Sequence, residues 1–355
     1  METTTTTALE YFGFIITWFI IIRIIIIKWL WQLLKYLWIF YLQNPQKHYQ
    51  KYFQLSTSSS TTSASSTKSN GWSIITGGTD GIGLAYCKQL ARFGYRLFII
   101  SRSIDKLESI RSELYEQYPQ CPEIRIFQFD FSENFESINY DRLEIEIEKL
   151  SKINILINNV GISYHTTEYF TKILQQEPKF NEKIINVNIV SVLRLTLICL
   201  PKMIEQQQQQ GIIINISSLS AICPMPLLSS YSASKACIDH FTQCLQLELQ
   251  QQQEKYQPQI HLQSILPGFI ATKMSKMLPS LTVPTANNYV QLSLLSIGHT
   301  NRTFVYFFHC LHNQLYQFFH YFSFINFYQI IAFKQMLKLR QKYLQKRKQQ
   351  KQKIQ

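Results

Sequence analysis

The chain has no acidic residue after Glu254, although its formal net charge is +13. Beyond that point Lys334, Lys338, Arg340, Lys342, Lys346, Arg347, Lys348, Lys351 and Lys353 supply nine positive charges. Most of the excess therefore sits in one tail, which suits an anionic membrane face or solvent. No RNA- or DNA-binding pattern accompanies it, so nucleic acid is not an expected partner. C-x-x-C spacing is also missing. The seven cysteines (Cys87, Cys121, Cys199, Cys223, Cys237, Cys244 and Cys310) are odd in number and scattered. That argues against a disulfide framework or a metal site and for buried free thiols facing a reducing compartment.

A cleavable leader is not expected either. The run "YFGFIITWFIIIRIIIIKWLWQLLKYLWIFYL" has its basic residues Arg23, Lys28 and Lys35 inside or after the apolar stretch, with no small-residue cleavage site. A span of roughly 20 apolar residues fits from Ala8 to Ile27, with Arg23 snorkelling and Trp29, Trp31, Tyr36 and Trp38 at headgroup level. Glu10 upstream against Lys28, Lys35, Lys47 and Lys51 downstream puts the bulk of the protein in the cytosol. A helix lying in one leaflet is the alternative. The Ser/Thr tract from Ser56 to Asn70 has nothing to bury and reads as a tether.

From Gly71 short β-branched runs ("WSIIT", "LFII", "IRIFQF", "INILIN", "GIIINIS", "IHLQSIL") alternate with amphipathic helical stretches. This alternation implies βαβ units: an α/β fold with a doubly wound parallel sheet of Rossmann type. The glutamine runs at 206–210 and 250–253 are expected between elements.

"TGGTDGIG" follows the first expected strand and opens the first helix, the context a dinucleotide fingerprint requires. Gly77 permits the tight turn, Gly81 lets backbone approach a pyrophosphate, and Gly83 lets helix pack on strand. Thr79, Asp80 and Ile82 share that turn. The acidic residue usual after the second strand is absent. Ser101 and Arg102 stand there instead, which favours a 2′-phosphate and hence NADPH over NADH. Asp130 in "FQFD" could accept from the adenine amino group, and "NNVG", with Asn159 and Gly161, ends the fourth strand beside the cleft.

Tyr231 and Lys235 in "YSASK" share one helical face. An ammonium near a phenol lowers its pKa from near 10, making the tyrosine a usable general acid. Ser218 in "NISS" lies 13 positions before Tyr231, and Asn188 sits in "NVNIVS".

Taken in order, the glycine turn, "NNVG", Asn188, Ser218 and Tyr231/Lys235 resemble the short-chain dehydrogenase/reductase family. Finer matches ("NNVGISY", "PMPLLSSYSASK", "ATKM") look like its membrane-bound 17β-hydroxysteroid dehydrogenase and very-long-chain 3-oxoacyl-CoA reductase group. The resemblance runs from about Trp72 to Leu311 and implies roles. Ser218 would bond the substrate carbonyl, Tyr231 donate the proton, Lys235 hold the nicotinamide ribose, and Asn188 support a proton relay. Pro267, Gly268 and Thr272 of "LPGFIATKM" would flank the nicotinamide. It further implies an endoplasmic-reticulum membrane enzyme with its catalytic domain facing the cytosol. The substrate would be a lipid-like carbonyl, either a 3-oxoacyl-CoA or a ketosteroid. The bilayer, elongation proteins and a second copy in a homodimer are the implied partners. A scaffold that binds nucleotide without turnover is the reading from another class. Val305 stands where a glycine is common in this group, as does Ala221.

Met274 to Gly298 should cover the substrate. From Thr303 to Phe333 there is no Lys, Arg, Asp or Glu, and this aromatic stretch is expected on the bilayer interface, its histidines serving as polar groups and not as metal ligands. The ending "KQKIQ" looks like a dilysine retrieval signal, and "NRT" at Asn301 is a sequon in form only. The expected organisation is a membrane anchor (1–43), a linker (44–70), an NADPH-binding catalytic domain (71–300), an aromatic membrane-associated segment (301–335) and a basic cytosolic tail (336–355).

Overall fold

The six apolar runs become strands β1 (Trp72–Thr76), β2 (Arg96–Ser101), β3 (Ile124–Gln128), β4 (Ile153–Asn158), β5 (Gly211–Ile216) and β6 (Ile260–Ile265), and a two-residue strand, β7 (Arg302–Thr303), joins them. The computed structural model describes residues 12, 16–17, 23, 26–28, 30–53, 71–133, 138–206, 210–253, 260–321 and 324–352. All pairings are parallel, in the order β3-β2-β1-β4-β5-β6-β7. β1, β4 and β5 are buried along their whole length. A parallel strand covered on both faces has no solvent side to mark with polar residues, which is why these stretches read as continuous apolar runs. Fully burying a side chain such as Ile157 is worth roughly 1.5–3 kcal/mol.

Chain order reverses between β1 and β4, and the crevice at the carboxyl ends there is where such sheets bind ligands. One helical stretch among the described residues, Phe180–Glu205, is long and apolar enough to cross a membrane. Its Val187, Leu195, Cys199 and Met203 instead join the core with Ile153, Leu156 and Ile213.

The chain divides into two units, Met1–His48 and Tyr49–Gln355. In the first, Tyr36 is buried against Phe40 while Trp31, Leu34 and Trp38 are exposed. Most of the expected crossing from Ala8 to Ile27 lies outside the described residues, as do the whole Ser/Thr tether and the last residues of "KQKIQ".

Several expectations need correction. The linker does not begin at residue 44: residues Pro45–Phe53 are helical, and Tyr52 and Phe53 are buried, with Phe53 against Phe93 and its carbonyl accepting from Tyr95. The catalytic domain does not stop at residue 300, because β7 completes the sheet beside β6. Gln250–Gln253 form the last turn of helix Ser229–Gln253, since glutamine is a good helix former. Within the segment expected over the substrate, Ala286–Leu295 packs against helix Gly81–Arg92, where Tyr86 bonds Ser293, and its Tyr289 and Val290 are fully buried. Cys237 and Cys244 are exposed, unlike Cys87, Cys121, Cys199 and Cys223.

Val305 has φ of 65° and is fully buried. A β-branched residue in that region carries about 1–2 kcal/mol of strain. Alanine retains the strain and glycine removes it. Val305→Gly should therefore be more stable than Val305→Ala by about 1 kcal/mol, the reverse of the order in a helix. Denaturation midpoints of the two variants check this, and a higher midpoint for the alanine variant would refute it.

Candidate active site

The site is assembled at the carboxyl ends of β1, β4, β5 and β6. Thr76 ends β1, and its hydroxyl accepts from the backbone N–H groups of Asn159 and Val160, each at 2.9 Å. The Asn159 amide in turn donates to the Thr76 carbonyl at 2.8 Å and the Gly77 carbonyl at 3.3 Å. Asn159, read from sequence as a cofactor contact, thus fastens the glycine turn to the end of β4. Thr76 was not singled out by its sequence context, and only the "T-G" at a strand end could have marked it.

The turn has the shape a phosphate cradle requires. Gly77 and Gly81 have φ of 64° and 53°. A Cβ on Gly83 would lie 2.3 Å from the Gly77 carbonyl oxygen and 2.4 Å from the Asn159 amide nitrogen, so helix and turn touch there. Asp80 caps the helix by accepting from Gly81 N–H at 2.8 Å and pairs with exposed Lys273 at 2.8 Å. Thr79 and Ser101 join their hydroxyls at 3.0 Å, tying the turn to the end of β2. Arg102 follows, exposed and without an ion-pair partner among the described residues. Asp130 lies just past β3, where one carboxylate oxygen accepts from Ser132 N–H at 2.9 Å. Ile82 sits half-buried in the first helical turn. The free N–H groups of that turn, the glycine cradle and an uncommitted guanidinium fit a dinucleotide.

Ser218 lies just after β5. Its Oγ accepts from the Ser220 N–H at 3.1 Å and the Ser220 hydroxyl at 2.9 Å. With its acceptor sites engaged, its own proton is left to donate. Tyr231 enters helix Ser229–Gln253 in its first turn, half-buried, with Lys235 one turn on and buried. Lys235 Nζ donates to the Ile216 carbonyl at 2.8 Å and lies 6.0 Å from the Tyr231 ring centroid.

Asn188 is fully buried in a π-helical turn, Asn186–Val190. Its Oδ1 accepts from Ile162 N–H at 2.8 Å, and its amide donates to the Ile162 carbonyl at 3.0 Å and to Ser234 Oγ at 2.9 Å. Ser234, one of the small residues inside "YSASK", was passed over in the sequence. It passes the contact on by donating to the Tyr231 carbonyl at 2.7 Å. A Cβ on Gly161 would lie 3.3 Å from Lys235 Nζ and 3.4 Å from Asn188 Oδ1, so the loop after β4 closes on both.

Burial sets the titration. It pushes the Tyr231 phenol above its ordinary value, with the Ser218 hydrogen bond acting the other way. It pushes Lys235 down to about 8. The expectation that the ammonium lowers Tyr231 is not met here: desolvation outweighs a cation aimed at the Ile216 carbonyl.

After β6, the Pro267 carbonyl accepts from Leu219 N–H at 2.8 Å, joining this segment to the Ser218 turn. Gly268 N–H donates to His309 Nδ1 at 3.2 Å. His309 is thus buried in the fold, not interfacial, and burial lowers it to about 4. Thr272 faces Gly81 across the cleft, its Cγ2 being 3.2 Å from where a Cβ there would sit. Gly161, Asn188, Ser218, Tyr231 and Lys235 thus lie together past β4 and β5, Thr272 lies against Gly81, and Arg102 and Asp130 follow β2 and β3.

A family profile described as short chain dehydrogenase matches residues 72–280. The very-long-chain 3-oxoacyl-CoA reductase of Mus musculus is 38% identical over 282 residues, covering 78% of this chain and 83% of that protein. The Homo sapiens protein of the same name is 40% identical over 242 residues, covering 68% and 72% respectively. Among solved structures, a short-chain dehydrogenase from Sphingobium yanoikuyae in complex with NADPH superposes with a TM-score of 0.54 at 26% identity, over 64% of this chain and 84% of that one.

Proposed function

Because the chain belongs to the short chain dehydrogenase family and is an oxidoreductase, we propose that it reduces a 3-oxoacyl-CoA to the 3-hydroxyacyl-CoA with NADPH, in very-long-chain fatty acid elongation. The observation that carries this reading is the identity of 38% over 78% of the chain to a very-long-chain 3-oxoacyl-CoA reductase. The meeting of Ser218, Tyr231 and Lys235 in one crevice supplies the chemistry.

Bound NADPH supplies a hydride to the carbonyl carbon. The Ser218 O–H, preset by Ser220, donates to the carbonyl oxygen and holds it beside Tyr231. The Tyr231 phenol gives its proton to that oxygen as charge develops. Lys235, one turn along from Tyr231 and steadied by the Ile216 carbonyl, would hold the nicotinamide ribose. Asn188, with both amide hydrogens engaged, holds the Ile162 loop and the Tyr231 helix together.

Arg102 selects the cofactor by meeting a 2′-phosphate. A charge-assisted hydrogen bond is worth about 1.5–3 kcal/mol, so Arg102→Ala should raise KM for NADPH about 10- to 100-fold and leave KM for NADH unchanged. An unaltered NADPH:NADH ratio would refute the assignment.

The chain is anchored at the endoplasmic reticulum by residues 1–43, with its catalytic unit in the cytosol. Exposed Phe318 on helix Phe307–Tyr321, Phe324 between the two helices, and Phe327 and Ile330 on helix Ile325–Gln352 suit contact with the bilayer interface. Leu197 and Leu247, each 65% exposed on helices Ser191–Glu205 and Ser229–Gln253, suit a homodimer contact. The deciding experiment is NADPH oxidation by membranes carrying the protein, with a long 3-oxoacyl-CoA and with a ketosteroid. Turnover of the acyl-CoA is the expected result; turnover of the steroid alone would overturn the assignment.

A further inference from the structure

The helix Ile325–Gln352 does not leave the fold as a tail. Tyr328, Ala332 and Met336 are buried one turn apart, and Arg340 continues the same stripe. The expected boundary at residue 335 therefore falls inside a docked helix. Tyr328 and Ala332 pack with Leu219 and Cys223, in the segment that follows Ser218. Further along, the Met336 carbonyl accepts from Thr167 Oγ1 at 3.1 Å. Arg340 then grips Glu168 through two bonds, Nε to Oε1 at 2.8 Å and the terminal nitrogen to Oε2 at 2.9 Å.

Glu168 is tied in turn to the approach of Tyr231. Its N–H donates to the Leu227 carbonyl at 3.1 Å. Tyr164, in the same loop, accepts from Ser230 N–H at 3.2 Å. Leu227 has φ of 64°, a backbone conformation that persists only where its surroundings hold it. The pair itself is well shielded, with side-chain exposures of 7% for Glu168 and 18% for Arg340. Burial alone would raise the Glu168 carboxyl, but Arg340 and the Tyr169 N–H outweigh it and hold it below its ordinary value. A carboxylate this buried is tolerated only while paired. One helix thus spans the segment after Ser218 and the segment before Tyr231.

We propose that Arg340 and Glu168 are positioning residues for the reduction, clamping the C-terminal helix across the two segments that carry Ser218 and Tyr231 and so fixing the separation of those hydroxyls. The proposal rests on the reading that Ser218 and Tyr231 handle the carbonyl. A displacement of about 1 Å can cost about 100-fold in rate. The bonds of the pair reach none of the residues assigned to the dinucleotide, so the effect should fall on turnover and spare cofactor affinity.

The test uses the full-length protein in membranes, with a long 3-oxoacyl-CoA, and refers kcat to the fraction of enzyme that titrates with NADPH. Arg340→Ala should lower that kcat about 10- to 100-fold with Kd for NADPH unchanged. Arg340→Lys, which keeps the charge but loses the fork, should fall between. The exchanged pair Glu168→Arg with Arg340→Glu should recover part of the loss. Wild-type kcat in Arg340→Ala would overturn the clamp, as would loss of NADPH affinity in step with kcat, which marks a purely structural contact. Tyr231→Phe is run in parallel. If it is inactive while Arg340→Ala is normal, the clamp alone fails; if it keeps the wild-type rate, the underlying site reading fails and the clamp with it.

Discussion

Tyr231→Phe is expected to lower kcat for carbonyl reduction by about 10²- to 10⁴-fold, the range a positioned general acid supplies, with affinity for NADPH near wild type. Phenylalanine fills the same volume and leaves helix Ser229–Gln253 intact. Ser218 keeps its contacts to Ser220, at 3.1 and 2.9 Å, and loses only its bond to the phenol. What disappears is the proton. The alkoxide formed by hydride addition must then take one from water, in a crevice whose burial already raises the phenol it replaces. Single-turnover NADPH oxidation separates this step from binding. A variant with wild-type single-turnover rate would remove Tyr231 from the chemistry.

Gly83→Ala should be as damaging by a different route. Its new methyl group would stand 2.3 Å from the Gly77 carbonyl oxygen, 2.4 Å from the Asn159 amide nitrogen and 2.9 Å from the Gly77 carbonyl carbon. Two of these contacts are backbone, and the third is a side chain held by the Thr76 carbonyl at 2.8 Å. None can give cheaply, so helix Gly81–Arg92 must back away from the turn. Overpacking of this kind typically costs about 1–3 kcal/mol, and the displaced turn loses the geometry assigned to the pyrophosphate. We expect a lower thermal midpoint and NADPH affinity reduced at least about 100-fold. Gly81→Ala is the comparison. There the contact is Thr272 Cγ2 at 3.2 Å, a side chain able to move, and the strain comes from a φ of 53°. It should be the milder variant in fluorescence titration with NADPH. Equal binding by Gly83→Ala and wild type would refute the cradle.

The parts legible in advance are those whose signal is local. The strands β1, β4 and β5 announce themselves because fully covered parallel strands are continuous apolar runs. The glycine turn is readable because its φ values and close approaches can be met only by glycine, in a spacing of a few residues. Tyr231 and Lys235 share a face because helix geometry places i and i+4 together. Even here local reading had limits. Asn159 in the turn after β4, read as a ligand contact, also holds Thr76 and Gly77, and Ser234 looks like a spacer but links Asn188 to the Tyr231 helix.

Distant pairings carried no such mark. β7 is only two residues long and gains its identity by lying beside Ser264 and Ile265. His309 sits in a charge-free aromatic stretch that suggests a membrane surface, yet its ring is fixed by Gly268, 41 residues away. Glu168 and Arg340 stand 172 residues apart. No periodicity links them, because which surface a docked helix meets depends on the whole sheet being in place.

By itself, then, the amino-acid sequence determined the α/β alternation, the dinucleotide turn and the face shared by Tyr231 and Lys235, since each is set by backbone geometry within a few residues. Only the tertiary structure decided that the basic C-terminal stretch begins as a docked helix, that His309 supports the Pro-Gly segment, and that desolvation governs Tyr231, since each depends on surfaces brought together by the completed sheet.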